Sequence, residues 1–289
     1  MMDMYLPNLM WDRNHVHCGS AITFMKEIPD GLVDLIVTDP PYGMEYESNS
    51  KNVKTRKIKN DLWTESLQNL LRAYFKDCAR ILNQDSAIYT FCSHHHYEFF
   101  KRQISKWFEY RDTIIWVKNN HARSDYSTHY APIYEMVIFG VKGKHKLNSF
   151  ERNVLHFPKV SDKEIKRLDH PTTKPIELLV HLIKNSSDPD EVVFDGFVGS
   201  GATAVAALRS TRRFLVSEID RKHYRTTIRE LDAVDPDWRN AKFHHVFGTG
   251  IPDELDIDVL GTTEWTLLPL SQTNPSVFPY HIRRALGVL

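Results

Sequence analysis

Asp39-Pro40-Pro41-Tyr42 puts a carboxylate, a proline-fixed turn and an aromatic ring within four consecutive residues. That combination suits the handling of an amine attached to a planar ring. Such an amine donates two hydrogen bonds, and its lone pair is delocalised into the ring. The Asp39 carboxylate and the Pro40 carbonyl are both acceptors. Together they could take both hydrogens and draw the lone pair out of conjugation, leaving a better nucleophile. Tyr42 offers a π-face for a base taken out of its stack, as enzymes acting on bases require. The plainer alternative is a strand-ending turn that happens to carry an acid.

The stretch that leads into these residues, Val33-Asp34-Leu35-Ile36-Val37-Thr38, is apolar or β-branched apart from Asp34. It reads as a strand buried on both faces. The two prolines then end any further pairing, because proline has no amide hydrogen to donate. In open α/β sheets the carboxyl edge of such strands is where ligands bind. A second run, Glu191–Asp195, reads as another buried strand. It enters Gly196-Phe197-Val198-Gly199-Ser200-Gly201, then a tightly packed helix at 202–208 and a strand at 213–218. Gly199 and Gly201 would let the backbone approach a ligand closely. Glu218 closes this βαβ unit where an acid can bond both hydroxyls of a ribose. The glycine spacing is not the full G-x-G-x-x-G of dinucleotide sites, which argues against a nicotinamide or flavin enzyme.

The other elements are those needed to hold these two strands in a sheet. A short strand is expected at 14–18 and a helix from a Ser20 N-cap to Ile28, ended by Pro29-Asp30-Gly31. Leu67, Leu70, Leu71, Tyr74, Phe75, Cys78, Ile81 and Leu82 keep one apolar helical face. Strands are predicted at 86–92, 113–117 and 133–139, with helices at 95–108 and from Ile176 to Lys184. Residues 44–61 are polar and aperiodic, a long loop beside Asp39. Residues 236–289 are proline-rich and carry Trp238, Trp265 and Phe278, which suggests an appendage on a domain spanning 1–235.

With 289 residues, 42% hydrophobic and 26% charged, the composition is that of an ordinary globular protein. No apolar run is long enough for a membrane span, and the first residues do not read as a secretory signal, so a cytoplasmic protein is expected. Cys18, Cys78 and Cys92 lack C-x-x-C spacing and read as free thiols. His94-His95-His96 cannot share one helical face and has no second ligand cluster, so it reads as a surface cluster at a helix start, and no metal is expected. The 37 basic and 37 acidic residues cancel, yet they are segregated. Lys51, Lys54, Arg56, Lys57 and Lys59 fall in one acid-free stretch; Lys142, Lys144, Lys146 and Arg152 form a second basic stretch. The two would form one basic face if the fold brought them together.

Asp39-Pro40-Pro41-Tyr42, followed later by His170-Pro171-Thr172-Thr173-Lys174-Pro175 and Phe197-Val198-Gly199-Ser200-Gly201, resembles the permuted β group of amino-methylating DNA methyltransferases. The resemblance covers about residues 14–232, with the catalytic motif ahead of the cofactor motif. It implies a Rossmann-like α/β fold with a mostly parallel seven-stranded sheet, one antiparallel strand and flanking helices. It implies S-adenosylmethionine as cofactor, held by Asp39, Lys174, Asp195, Phe197, Gly199, Gly201 and Glu218. Asp39, Pro40 and Tyr42 become the catalytic residues, acting on a flipped base in double-stranded DNA. Adenine N6 is the expected acceptor, and cytosine N4 the nearest alternative, since Ser more often stands at position 39 for that base. A protein-glutamine or RNA methyltransferase more often has Asn there. Lys51, Lys54, Arg56 and Lys57 would contact DNA, and the segment 142–169 is short for a target-recognition region. A homodimer is the family-level expectation, with a separate cognate restriction endonuclease as candidate companion. Gly196 departs from the family's usual proline, and Ser20 from a common acid that contacts the cofactor's adenine.

Overall fold

A computed structural model describes residues 11, 13–43, 62–119, 130–170 and 172–239. The basic loop with Lys51, Lys54, Arg56 and Lys57, and all of 240–289, lie outside the described residues.

The chain begins with β1 (His15–Cys18), α1 (Ala21–Glu27) and β2 (Val33–Thr38). All six β2 residues are buried, including Asp34. Asp34 is tolerated there because its carboxylate accepts from Val192 N at 2.9 Å and from Asn83 Nδ2 at 3.3 Å. Next come α2 (Glu65–Ile81), β3 (Leu82–Cys92), α3 (Tyr97–Trp107), β4 (Glu109–Val117) and β5 (Tyr134–Lys142). The apolar face read from the sequence is the one α2 buries, and Thr64 caps that helix by accepting from Leu67 N at 3.2 Å. The three histidines form a 3-10 turn that leads into α3. Then follow β6 (Val154–His156), α4 (Asp162–Leu168), α5 (Ile176–Ser186), β7 (Val192–Asp195), α6 (Ala202–Arg209), β8 (Arg213–Glu218) and α7 (Arg221–Val234).

These strands make one sheet in the order β1-β8-β7-β2-β3-β5-β4-β6. β5 runs antiparallel to both β3 and β4; the remaining pairs are parallel. The expected mostly parallel sheet with one antiparallel strand is present, with eight strands in place of seven. The addition is β6, three residues on the outer edge of β4, too short to show a period in the sequence. One sheet face packs against α1, α2 and α3 through Phe24, Phe75 and Phe100. The other packs against α5, α6 and α7 through Leu179, Val205 and Leu231. From β2 the chain crosses by α2 to β3 on one side, and from β7 by α6 to β8 on the other. β2 and β7 are therefore neighbours at the switch point, where crossovers diverge and leave a crevice.

Two expectations shift. Lys142 does not join a basic face beside Asp39. Its Nζ caps the far end of α2, donating to Ala79 O at 2.8 Å and Leu82 O at 2.6 Å, while Lys144 N bonds Asp85. Residues 148–149 are tied to the carboxyl end of α5 through Lys184, Asn185 and Ser187. That stretch belongs to the sheet edge opposite Asp39, because β3 and α5 both have those residues at that edge. Trp238, read as part of the appendage, is buried against Phe214, and its carbonyl accepts from Asn14 Nδ2 at 3.0 Å. The compact domain thus extends past position 235.

Candidate active site

Asp39 follows the last residue of β2, and Asp195 is the last residue of β7, so parallel pairing brings the two acids to the same edge. Lys174, just ahead of α5, lies between Asp39 and β5. Its Nζ donates to Asp39 Oδ2 and stands 3.4 Å from Glu135 Oε2. Glu135 also pairs with Lys118 at 2.6 Å. On its other oxygen, Asp39 accepts from the Tyr42 hydroxyl. Burial pushes the Asp39 carboxyl above its ordinary value; Lys174 opposes this and Glu135 reinforces it. Burial alone would lower Lys174, but its two carboxylates outweigh it and keep the ammonium charged.

The Tyr42 ring is half-buried, edge-on to Phe100 with centroids 6.2 Å apart, and Lys174 Nζ lies 5.7 Å from its centre. Pro40 is buried. Gly43, with φ +69°, abuts Trp63 so closely that an added Cβ would fall 2.7 Å from the Trp63 Cα. The chain thus leaves the Asp39–Tyr42 turn and returns to it at one place. Trp63 in turn stacks on His96 at 3.7 Å.

The glycine turn follows β7. Asp195 accepts from Phe197 N at 3.0 Å and Thr203 Oγ1 at 2.7 Å, which fixes the loop to α6. Burial raises Asp195 to about 6. Gly199 and Gly201 have φ of +57° and +96°. A Cβ on Gly199 would meet His170 Nε2 at 2.8 Å, and one on Gly201 would meet the Thr227 Cα at 3.0 Å. Both positions thus require glycine for conformation and for space. Glu218 ends β8 beside this turn, accepting from Gly199 N at 3.0 Å and Asp220 N at 2.7 Å. Burial pushes it up to about 7. Each oxygen keeps a lone pair after these bonds.

Gly196, where the resemblance leads one to expect proline, is explained by Tyr74. Its N–H donates to the Tyr74 hydroxyl at 3.3 Å, a bond proline could not make, and a Cβ there would strike the ring at 2.5 Å. Tyr74 also bonds Thr38 Oγ1 at 2.8 Å, so α2 ties the ends of β2 and β7 together.

Asp39, Lys174, Asp195, Phe197, Gly199, Gly201 and Glu218 all lie on or next to the carboxyl edge at the switch point. Lys174 faces Asp39 and Glu135. The sequence reading gave Glu135 and Lys118 no part in the site, and named Tyr74 only on an apolar helix face and His170 only within the motif at 170–175. His170 is a neutral ring beside the glycine turn, lowered to about 3 by burial, with the His223 ring adjacent. Glu135 and Lys118 carry no local signal: Glu135 reaches this edge because β5 is reversed, and Lys118 because β4 ends there.

A DNA methylase family model matches residues 33–229. Among curated proteins, the DNA adenine methyltransferase YhdJ of Escherichia coli (strain K12) is 28% identical over 74% of this chain and 81% of its own length. The type II methyltransferase M2.MboI of Moraxella bovis is 24% identical, over 79% of this chain and 92% of its own. Among solved structures, the M1.HpyAVI–SAM complex superposes with a TM-score of 0.58 at 23% identity, covering 75% of this chain and 98% of the other. The cytosine-N4-specific PvuII DNA methyltransferase gives 0.62 at 16% identity, covering 80% and 93%. At those identities the two structures speak to the fold.

Proposed function

This chain belongs to the N6/N4 DNA methylase family, and on that premise we propose that it methylates the N6 amine of adenine in double-stranded DNA, with S-adenosylmethionine as methyl donor. The observation that carries the reading is the partly buried acid of Asp39 directly after β2, one strand away from the glycine turn of β7. An amine held at Asp39 and a donor held over Gly199–Gly201 would then be close enough to react. The relative described as an adenine methyltransferase supports the choice of base.

The residues fit the cofactor. Gly199 and Gly201 hold the left-handed turn after β7 over which the donor would lie, and Glu218 retains acceptor capacity for two ribose hydroxyls. When bound, S-adenosylmethionine supplies a methyl group on a positively charged sulfur. Asp39 and Pro40 accept the two amine hydrogens and restore the nitrogen lone pair. As an N–C bond replaced the C–S bond, Asp39 would be placed to accept the proton that the nitrogen releases. Orientation and charge complementarity carry the rate, since no covalent enzyme intermediate is needed. Tyr42 takes the flipped base on its ring, which requires its hydroxyl to leave Asp39 and free that oxygen for the amine.

The test is to methylate DNA with labelled donor, digest it to nucleosides and separate them. N6-methyldeoxyadenosine is expected, and N4-methyldeoxycytidine would overturn the choice of base. In the same assay Asp39→Ala should lose at least about two orders of magnitude in turnover, the scale of one preorganised transition-state interaction, with cofactor binding kept. Near wild-type turnover would remove Asp39 from the mechanism.

A further inference from the structure

We propose that Glu135 is a positioning residue for methyl transfer: by sharing Lys174 with Asp39, it keeps the Asp39 carboxylate a strong acceptor. The inference rests on the adenine-methylation reading for its assay, but its argument is geometric. Four charges alternate across the catalytic edge, Asp39, Lys174, Glu135 and Lys118. Lys174 is the most enclosed of them, its side chain 6% exposed. Alone with Asp39 it would bind that carboxylate outright, and a carboxylate saturated by an ammonium is a poor acceptor for a neutral amine. Glu135 gives Lys174 a second partner at 3.4 Å. Apart from Lys174 Nζ, the Glu135 Oε2 atom is buried and meets no hydrogen-bond donor among the described residues.

The fold accounts for this arrangement through strand direction. β5 is the strand that runs antiparallel to its neighbours, so its first residues, including Glu135, reach the edge where β2 and β3 end. Its register sets Glu135 opposite Trp116, and Lys118, two residues on, curls back over the Trp116 ring at 5.1 Å to pair with Glu135. Within this row of four each charge has an opposite neighbour: two acids, two lysines. An unbalanced buried charge here would be strongly destabilising.

The groups that face Asp39 are Lys174 ahead of α5, Glu135 on β5, Tyr42 on its own turn, Cys92 at the end of β3 and Asp195 on β7. Lys118 faces Glu135. Removing the negative charge of Glu135 makes Asp39 easier to ionise and hands Lys174 to it entirely. Removing the positive charge of Lys118 does the reverse. The two changes therefore move the acid limb of turnover in opposite directions, which a merely structural role would not do.

The experiment is the pH profile of turnover under saturating DNA and S-adenosylmethionine, for wild type, Glu135→Gln and Lys118→Met, with cofactor affinity by calorimetry. For Glu135→Gln we expect about a tenfold fall in plateau turnover, an acid limb displaced to lower pH by up to about one unit, and cofactor affinity within about twofold of wild type. For Lys118→Met the limb moves to higher pH. Limbs that coincide with wild type in both variants, or that move the same way, overturn the proposal. If Glu135→Gln does not fold, Lys118→Met still decides by the direction of its shift. Identification of the wild-type product separates this outcome from the choice of base: the limbs can move as expected on either methylated nucleoside.

Discussion

At the scale of single residues, Glu218 makes the most direct claim about cofactor binding. Its carboxyl is raised by burial from 4.5 to about 7. A raised acid favours the folded chain when protonated, so its contribution to stability is complete below about pH 4.5 and is lost as pH rises through about 7. Ribose hydroxyls, by contrast, need the ionised form as acceptor. Cofactor affinity should therefore fall by about tenfold from pH 8 to pH 6, while Glu218→Gln binds weakly throughout with a flatter profile. Calorimetry across that range checks it, and equal slopes for the two proteins would remove Glu218 from the ribose. Asp39, Glu218 and both glycines could be picked from the sequence because each stands where an apolar run stops. Lys174 could be located but not understood. Its pairing with Asp39 crosses 135 positions and its pairing with Glu135 depends on strand direction, neither of which is written in local spacing.

At the scale of elements, the long apolar runs and the α2 stripe were legible because burial on a sheet or a helix face imposes a period. α4 was not, since Asp162-Lys163-Glu164-Ile165-Lys166-Arg167-Leu168 buries only Leu168. Its start did carry a signal: Ser161 accepts from Glu164 N at 3.2 Å, the Ser-x-x-Glu spacing of a capping box. Starts of β3 and β4 lay earlier than expected, at Leu82 and Glu109, because polar residues such as Gln84 and Arg111 are tolerated where strands emerge from the helices. The element that holds the two halves of the site together is α2, through the Tyr74 hydroxyl. Tyr74→Phe leaves the Gly196 N–H without its acceptor and deprives Thr38 of a partner. About 1–3 kcal/mol of stability should be lost, visible as a lower thermal midpoint, with turnover falling more than cofactor affinity. An unchanged midpoint would mean the bridge is not needed.

At the scale of the whole molecule, a net charge of zero gives no general attraction to DNA, so any must come from local clusters. Lys142 is spent on the end of α2, which leaves the stretch with Lys51, Lys54, Arg56 and Lys57 as the basic cluster nearest Asp39 in sequence. Neutralising those four together should lower DNA affinity and reduce the salt slope by nearly one unit for each phosphate that is no longer neutralised. The methylated sequence should stay unchanged, because groups that bind phosphates orient the duplex without reading its bases. Titrations at several salt concentrations check this, and identical slopes would exclude a phosphate-binding role for the four. The close approach of Gly43 to Trp63 bears on how such a protein diversifies. With both feet of the 44–61 segment fixed against each other, its length hardly matters to the scaffold: doubling a loop adds only about 0.6 kcal/mol of closure entropy. The segment is thus a cassette slot, where insertions, deletions and exchanges between relatives can accumulate while the sheet that carries the chemistry stays as it is.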